Sequence, residues 1–175
     1  MDLIGAVAPA KDSAIVDIGG GASLLVDCLL DRGYDHVTVV DASDAALGVA
    51  RARQGARGDA VAWIAADARY VRLPTQVDLW HDRAVFHFLT EEADRQAYQE
   101  SLRSALRVGG HLILATFALN GPERCSGLPV QRYDPDSMGG FLGPDFELVQ
   151  SLEREHVTPG GSGQLFMYAV FRRLR

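Results

Sequence analysis

Apolar positions fall in short continuous runs separated by longer stretches of helical spacing, and the two periods together predict strands alternating with helices. The first run, Ala14-Ile15-Val16-Asp17-Ile18, stops at Gly19-Gly20-Gly21 and reads as a strand entering a tight turn. A helix follows over Leu24–Arg32, with Ser23 as its cap and Gly33 as its stop. Val37-Thr38-Val39-Val40 is a second strand that ends on Asp41. The next helix spans Asp44–Gln54 behind the cap Ser43 and ends at Gly55. Another starts at Thr90, with Glu91 and Glu92 set against the helix dipole, and ends at Gly109. Leu148–Leu152 and Phe166–Phe171, joined through Pro159 to Gly163, predict an antiparallel hairpin. Strands alternating with helices argue for an α/β fold on a mostly parallel sheet.

The chemistry begins at the glycine turn. Glycine lets backbone approach a ligand without a Cβ, and the following helix start offers free N–H groups. An acid at the tip of the second strand, Asp41, stands where it accepts hydrogen bonds from ribose hydroxyls and repels a 2′-phosphate. The expected ligand is an unphosphorylated adenosine derivative. A dinucleotide turn requires G-x-G-x-x-G, but Leu24 stands sixth from Gly19, which ranks a dehydrogenase low.

Asp17 two residues before the first glycine gives the segment D-x-G-x-G-x-S, and this resembles the D-x-G-x-G-x-G of class I S-adenosylmethionine-dependent methyltransferases, with Ser23 in place of the third glycine. Further segments resemble the family in order. Trp63-Ile64-Ala65-Ala66-Asp67-Ala68 is similar to its third strand, Val77–Arg83 to its fourth, and Leu106–Leu114 to its helix end, glycine turn and fifth strand. The resemblance covers Ala14 to about Phe117. It implies a three-layer Rossmann-like fold: a seven-stranded sheet of order 3-2-1-4-5-7-6, one strand antiparallel, helices on both faces. It also implies that Asp17, Gly19, Gly20, Gly21, Asp41 with Ala42, Asp67 with Ala68, and His81 hold S-adenosyl-L-methionine, with Asp67 on the adenine amino group.

Methyl transfer to a thiol, hydroxyl or amine releases a proton from the acceptor, so a base beside the fourth strand is expected. His81, titrating near neutrality, and Asp82 are the catalytic candidates, with a pocket-lining role as the plainer reading of His81. Asp82 and Arg83 are expected to form an ion pair, Arg83 also being a candidate for acceptor binding. His87 among Val85, Phe86, Phe88 and Leu89 reads as core packing.

Residues 120–133 are polar and rich in turn formers, ahead of a short helix capped by Asp134-Pro135. This insertion is the expected acceptor site, with Arg124, Cys125, Arg132 and Tyr133 as candidate contacts. Gly121-Pro122 through Tyr133 is loosely similar to a loop of thiol and thiopurine S-methyltransferases, which implies a small acceptor such as a thiol.

Composition narrows the partners. A chain of 175 residues with 47% hydrophobic content makes one domain, and its apolar runs are too short to span a bilayer. A net charge of −6 and the lack of a basic run with interleaved aromatics argue against nucleic acid, and no membrane partner is expected. Of the two cysteines, Cys28 is expected in the core. His36, His111 and His156 have no companion ligands, so no metal is expected. The start lacks a secretory pattern, which points to a cytoplasmic monomer or homodimer. Only 16 residues precede Asp17, so part of a cofactor lid is expected to be missing. Two alternatives remain: a protein lysine methyltransferase with Glu91, Glu92 and Asp94 bordering an acidic groove, or a non-catalytic S-adenosylmethionine-binding module.

Overall fold

The computed structural model describes residues 2–158 and 160–175. In chain order the elements are α1 (Asp2–Val7), β1 (Ile15–Ile18), α2 (Leu25–Asp31), β2 (Val37–Asp41), α3 (Asp44–Gln54), β3 (Ala62–Ala65), β4 (Val77–Arg83), α4 (Glu92–Ala105), β5 (Leu106–Phe117), β6 (Arg124–Cys125), β7 (Leu128–Pro129), α5 (Pro135–Leu142), β8 (Phe146–Val157) and β9 (Gly163–Arg173). The large sheet has the order β3-β2-β1-β4-β5-β9-β8, and β6 and β7 form a separate two-residue ribbon. With that ribbon set aside, this is the order the family resemblance implies. β1 to β5 are parallel, whereas β9 enters antiparallel between β5 and β8.

Two apolar layers cover the sheet. On one face Ile4 of α1, Val26 and Leu29 of α2 and Leu47 of α3 pack on Ile15, Val39, Leu79 and Ile113. On the other, Tyr98 and Leu102 of α4 and Met138 and Leu142 of α5 pack on Val16, Ile18, Trp80 and Leu112. Adjacent residues of β1 and β4 thus enter opposite layers, as the two-residue period of a strand requires.

Local chemistry sets several element ends, some of them away from the predicted positions. α3 begins as predicted, with Ser43 accepting the Ala46 N–H. α2 starts one residue late because the Ser23 hydroxyl accepts the Leu25 N–H and Leu24 takes the cap position. α4 runs from Glu92 to Ala105 instead of Thr90 to Gly109, since Leu106 turns extended and pairs with Val77. The glycines beyond it sit in a bulged stretch of β5, where Gly109 has φ 80°. β3 stops at Ala65, so Asp67 lies past the strand. The final hairpin is antiparallel but much longer than predicted, and Pro159 of its turn lies outside the described residues.

Candidate active site

β1 lies beside β4 in a register that sets Asp17 opposite His81 and Ile18 opposite Asp82. Strand alternation then sends Asp17, His81 and Arg83 to the α1 and α2 face and Asp82 to the α4 face. Asp17 Oδ1 is 2.7 Å from His81 Nδ1, and the residues are 3% and 9% exposed. A carboxylate only accepts, so the Nδ1–H donates, and in the neutral ring Nε2 is then the acceptor.

The turn after β1 is built to admit something close. Gly19 and Gly21 have φ of 68° and 40°, a region that side chains disfavour. A Cβ on Gly19 would lie 2.1 Å from Val85 Cγ2, and one on Gly20 would lie 2.5 Å from Val39 Cγ1 and 2.8 Å from Asp17 Oδ2. One on Gly21 would stand 2.9 Å from Asp41 Oδ2. The bare backbone therefore fits among the side chains of Val85, Val39, Asp17 and Asp41. Ala84, itself at φ 71°, turns the chain after β4 and carries Val85 onto the glycines.

Gly19 and Ile18 line two cavities. The larger, about 490 Å³, is walled by Asp17, Gly19, His81, Arg83, Tyr168, the α2 residues Leu25 and Cys28, and Leu3 and Ile4 of α1. The smaller, about 210 Å³, is lined by Asp41, Ala42, Asp67, Ala68, Arg69, Val85 and Leu89. Asp41 Oδ1 accepts the Ser43 N–H at 2.8 Å, and among the described residues its Oδ2 takes no hydrogen bond. The Asp67 carboxylate is gripped by Arg69, whose hydrogen bonds hold it below the usual carboxylate range. The two acid-lined cavities, which share Ile18 and Gly19, have room for an elongated adenosine ligand.

Asp82 is fully buried and stands apart from both cavities. Its carboxylate accepts the Tyr98 hydroxyl at 2.7 Å and the Val85 and Phe86 N–H groups at 2.9 and 3.2 Å. Burial pushes its pKa up to about 6. The expected ion pair with Arg83 does not form, because neighbouring strand residues point to opposite faces. The expected catalytic role for Asp82 has no route to a ligand, since its oxygens are spent on holding the turn behind β4. His87 is buried with neither ring nitrogen bonded among the described residues, 4.8 Å from the Phe117 ring, and burial pushes its pKa down to about 4.

The insertion does not reach the larger cavity. Tyr133 is 2% exposed and stacks 5.1 Å from Phe86 in the core. Arg132 bonds Glu123 and the Gly121 carbonyl, and Arg124 closes on the Gly127 carbonyl at the tip of the β6–β7 ribbon. Cys125 is half-buried beside Phe117 and Phe166. Of the candidate acceptor contacts, Arg83 alone lines the cavity.

Sequence reasoning missed α1, Cys28 and Tyr168 as cavity walls. Cys28 is exposed and not in the core. Tyr168 arrives from β9 through its pairing with Ala115 of β5. Arg69 carried a legible signal, an arginine two residues after the acid Asp67.

The methyltransferase domain profile matches residues 15–110, more than half of the chain. The chain belongs to the methyltransferase domain family. This methyltransferase domain finds no match among curated proteins. Among solved structures it is similar to a SAM-dependent methyltransferase of Methanosarcina mazei, with TM-score 0.78 and 16% identity, covering 99% of this chain and 98% of that one. It is also similar to 1,6-didemethyltoxoflavin-N1-methyltransferase of Burkholderia thailandensis, solved with its substrate and S-adenosylhomocysteine, at TM-score 0.77 and 19% identity over 99% and 76% of the two chains. A third, from work on conversion of a disulfide bond into a thioacetal group during echinomycin biosynthesis, has TM-score 0.77 and 22% identity over 98% and 80%. At these identities the likeness is one of fold.

Proposed function

We propose that this domain transfers a methyl group from S-adenosyl-L-methionine to a small acceptor, a thiol being the class to test first. The observation that carries the reading is the pair of cavities on either side of the side-chain-free glycine turn, acids lining each. When bound, the cofactor supplies an electrophilic methyl group on a sulfonium.

The residues divide the work. Asp41 accepts from the ribose hydroxyls through its open Oδ2, and Asp67 takes the adenine amino group. Asp17 faces the cationic amino acid end. His81 is fixed by Asp17 through Nδ1, and its Nε2 receives the proton that the acceptor gives up. Leu3, Ile4, Leu25 and Ile113 exclude water from the larger cavity, which strengthens each polar contact inside it. Arg83, with no ion pair among the described residues, provides a cation for an anionic part of the acceptor. A cavity of about 490 Å³ shared with the cofactor tail suits a small molecule. A protein acceptor has less support, because Asp94, one of the acids expected to border a groove, is paired to Arg69.

The test is calorimetric titration of S-adenosylmethionine, S-adenosylhomocysteine and NAD, with Asp41→Ala as control, followed by a thiol panel read by S-adenosylhomocysteine release. Binding of both S-adenosyl compounds, weakened in the variant, with turnover of a thiol supports the proposal. Binding without turnover of any acceptor supports a non-catalytic module, and preference for NAD overturns the cofactor assignment.

A further inference from the structure

Asp67 is more tightly occupied than a residue awaiting a ligand needs to be. Its Oδ1 accepts both the Arg69 backbone N–H at 2.9 Å and Arg69 Nε at 3.0 Å. Its Oδ2 accepts Arg69 Nη2 at 2.5 Å and shares the same Nε–H at 3.0 Å. A carboxylate offers about four lone-pair sites, and these three N–H groups leave one of them open. Arg69 is anchored in turn: Nη1 bonds Asp94 Oδ1 at 2.6 Å on α4, and its carbonyl accepts the hydroxyl of fully buried Ser101 at 2.7 Å. Asp67 and Arg69 line the smaller cavity together.

We infer that Arg69 is a positioning residue for adenine recognition, its guanidinium fork locking the Asp67 carboxylate so that its one remaining acceptor site meets the exocyclic amino group. This rests on the cofactor reading above and adds a source of base specificity. A freely rotating carboxylate accommodates several neighbours by turning or by recruiting water. A locked one offers a fixed acceptor, and a base with a carbonyl oxygen at that position meets it lone pair to lone pair. The two-point fork defines the carboxylate plane, which a lysine, as a point charge, does not. The anchorage on α4 keeps the fork in place when the cavity is empty.

The experiment compares S-adenosylhomocysteine with S-inosylhomocysteine, which replaces the amino group with a carbonyl, by calorimetry on the wild type, Arg69→Met, Arg69→Lys and Asp94→Asn. The wild type is expected to prefer the adenine compound by about tenfold or more, the worth of one hydrogen bond to a charged group. Arg69→Met is expected to bind it about tenfold more weakly and to lose most of the preference. Arg69→Lys should fall between them, and decides the matter on the same ratio if the methionine variant does not fold. Asp94→Asn leaves the fork on Asp67 and is expected to keep the preference. Undiminished preference in both arginine variants overturns the role of Arg69 while leaving the cofactor reading intact. Failure of the wild type to bind S-adenosylhomocysteine overturns the cofactor reading, and the inference with it.

Discussion

Asp17 and His81 come from strands that are 64 residues apart in sequence, yet they meet at 2.7 Å because β1 and β4 are parallel neighbours in register. Both line the larger cavity, together with Gly19 and Arg83.

Breaking this pair separates its roles. His81→Ala leaves Asp17 as a buried carboxylate without its partner, which is expected to cost about 1–3 kcal/mol of stability. His81→Gln is expected to restore part of that stability without restoring turnover, since its amide does not titrate. Urea unfolding and a pH–rate profile of the three proteins check this. An acidic limb that survives in His81→Gln assigns the proton acceptor elsewhere.

The glycine turn has a steric prediction. Gly19→Ala sets a Cβ 2.1 Å from Val85 Cγ2 at φ 68°, so S-adenosylhomocysteine binding is expected to fall more than about tenfold. Val85→Ala in the same chain removes the clash but not the backbone strain of about 1–2 kcal/mol, and partial recovery is expected. Calorimetry on the single and double variants reads the two terms apart.

His87 makes the fold acid-sensitive. Its folded pKa of about 4 lies below the ordinary 6.5, so its contribution to stability is full above pH 6.5 and lost as pH falls through about 4. His87→Phe has no such proton to take up. The wild type is expected to lose on the order of 1–3 kcal/mol relative to this variant between pH 7 and pH 4, measured by chemical denaturation.

Asp82 runs the other way. Its folded pKa, about 6, is raised above 3.8, so its contribution is full below 3.8 and lost as pH rises through about 6. The stability of the wild type relative to Asp82→Asn is therefore expected to decline from pH 4 to pH 7, by on the order of 1–3 kcal/mol. A flat difference between the two proteins would show that Asp82 does not titrate in this window.

Cys28 is exposed on the wall of the larger cavity, whereas Cys125 is half-buried. Iodoacetamide is expected to label Cys28 first, and saturating S-adenosylhomocysteine to slow that labelling. Peptide mass spectrometry reads both rates, and equal labelling with and without ligand places the ligand elsewhere.

The sequence by itself carried the strand and helix alternation and the glycine turn with its flanking acids, whereas the strand order came only through the family resemblance. The alternation and the turn follow from local rules: apolar period, φ tolerance and capping chemistry act within a few residues. It also singled out Asp41 and Asp67, which the fold sets beside one cavity, Asp41 at the end of β2 and Asp67 two residues past β3. The tertiary structure alone decided which side of the sheet each strand-four residue serves. His81 and Arg83 entered a cavity and Asp82 a sealed hydrogen-bond network because alternation is fixed by register against β1, which no local pattern specifies. It also decided that the insertion turns its arginines onto its own backbone, and that α1, α2 and β9 supply the cavity walls. Those contacts join segments distant in sequence, and packing between layers, not propensity, brings them together.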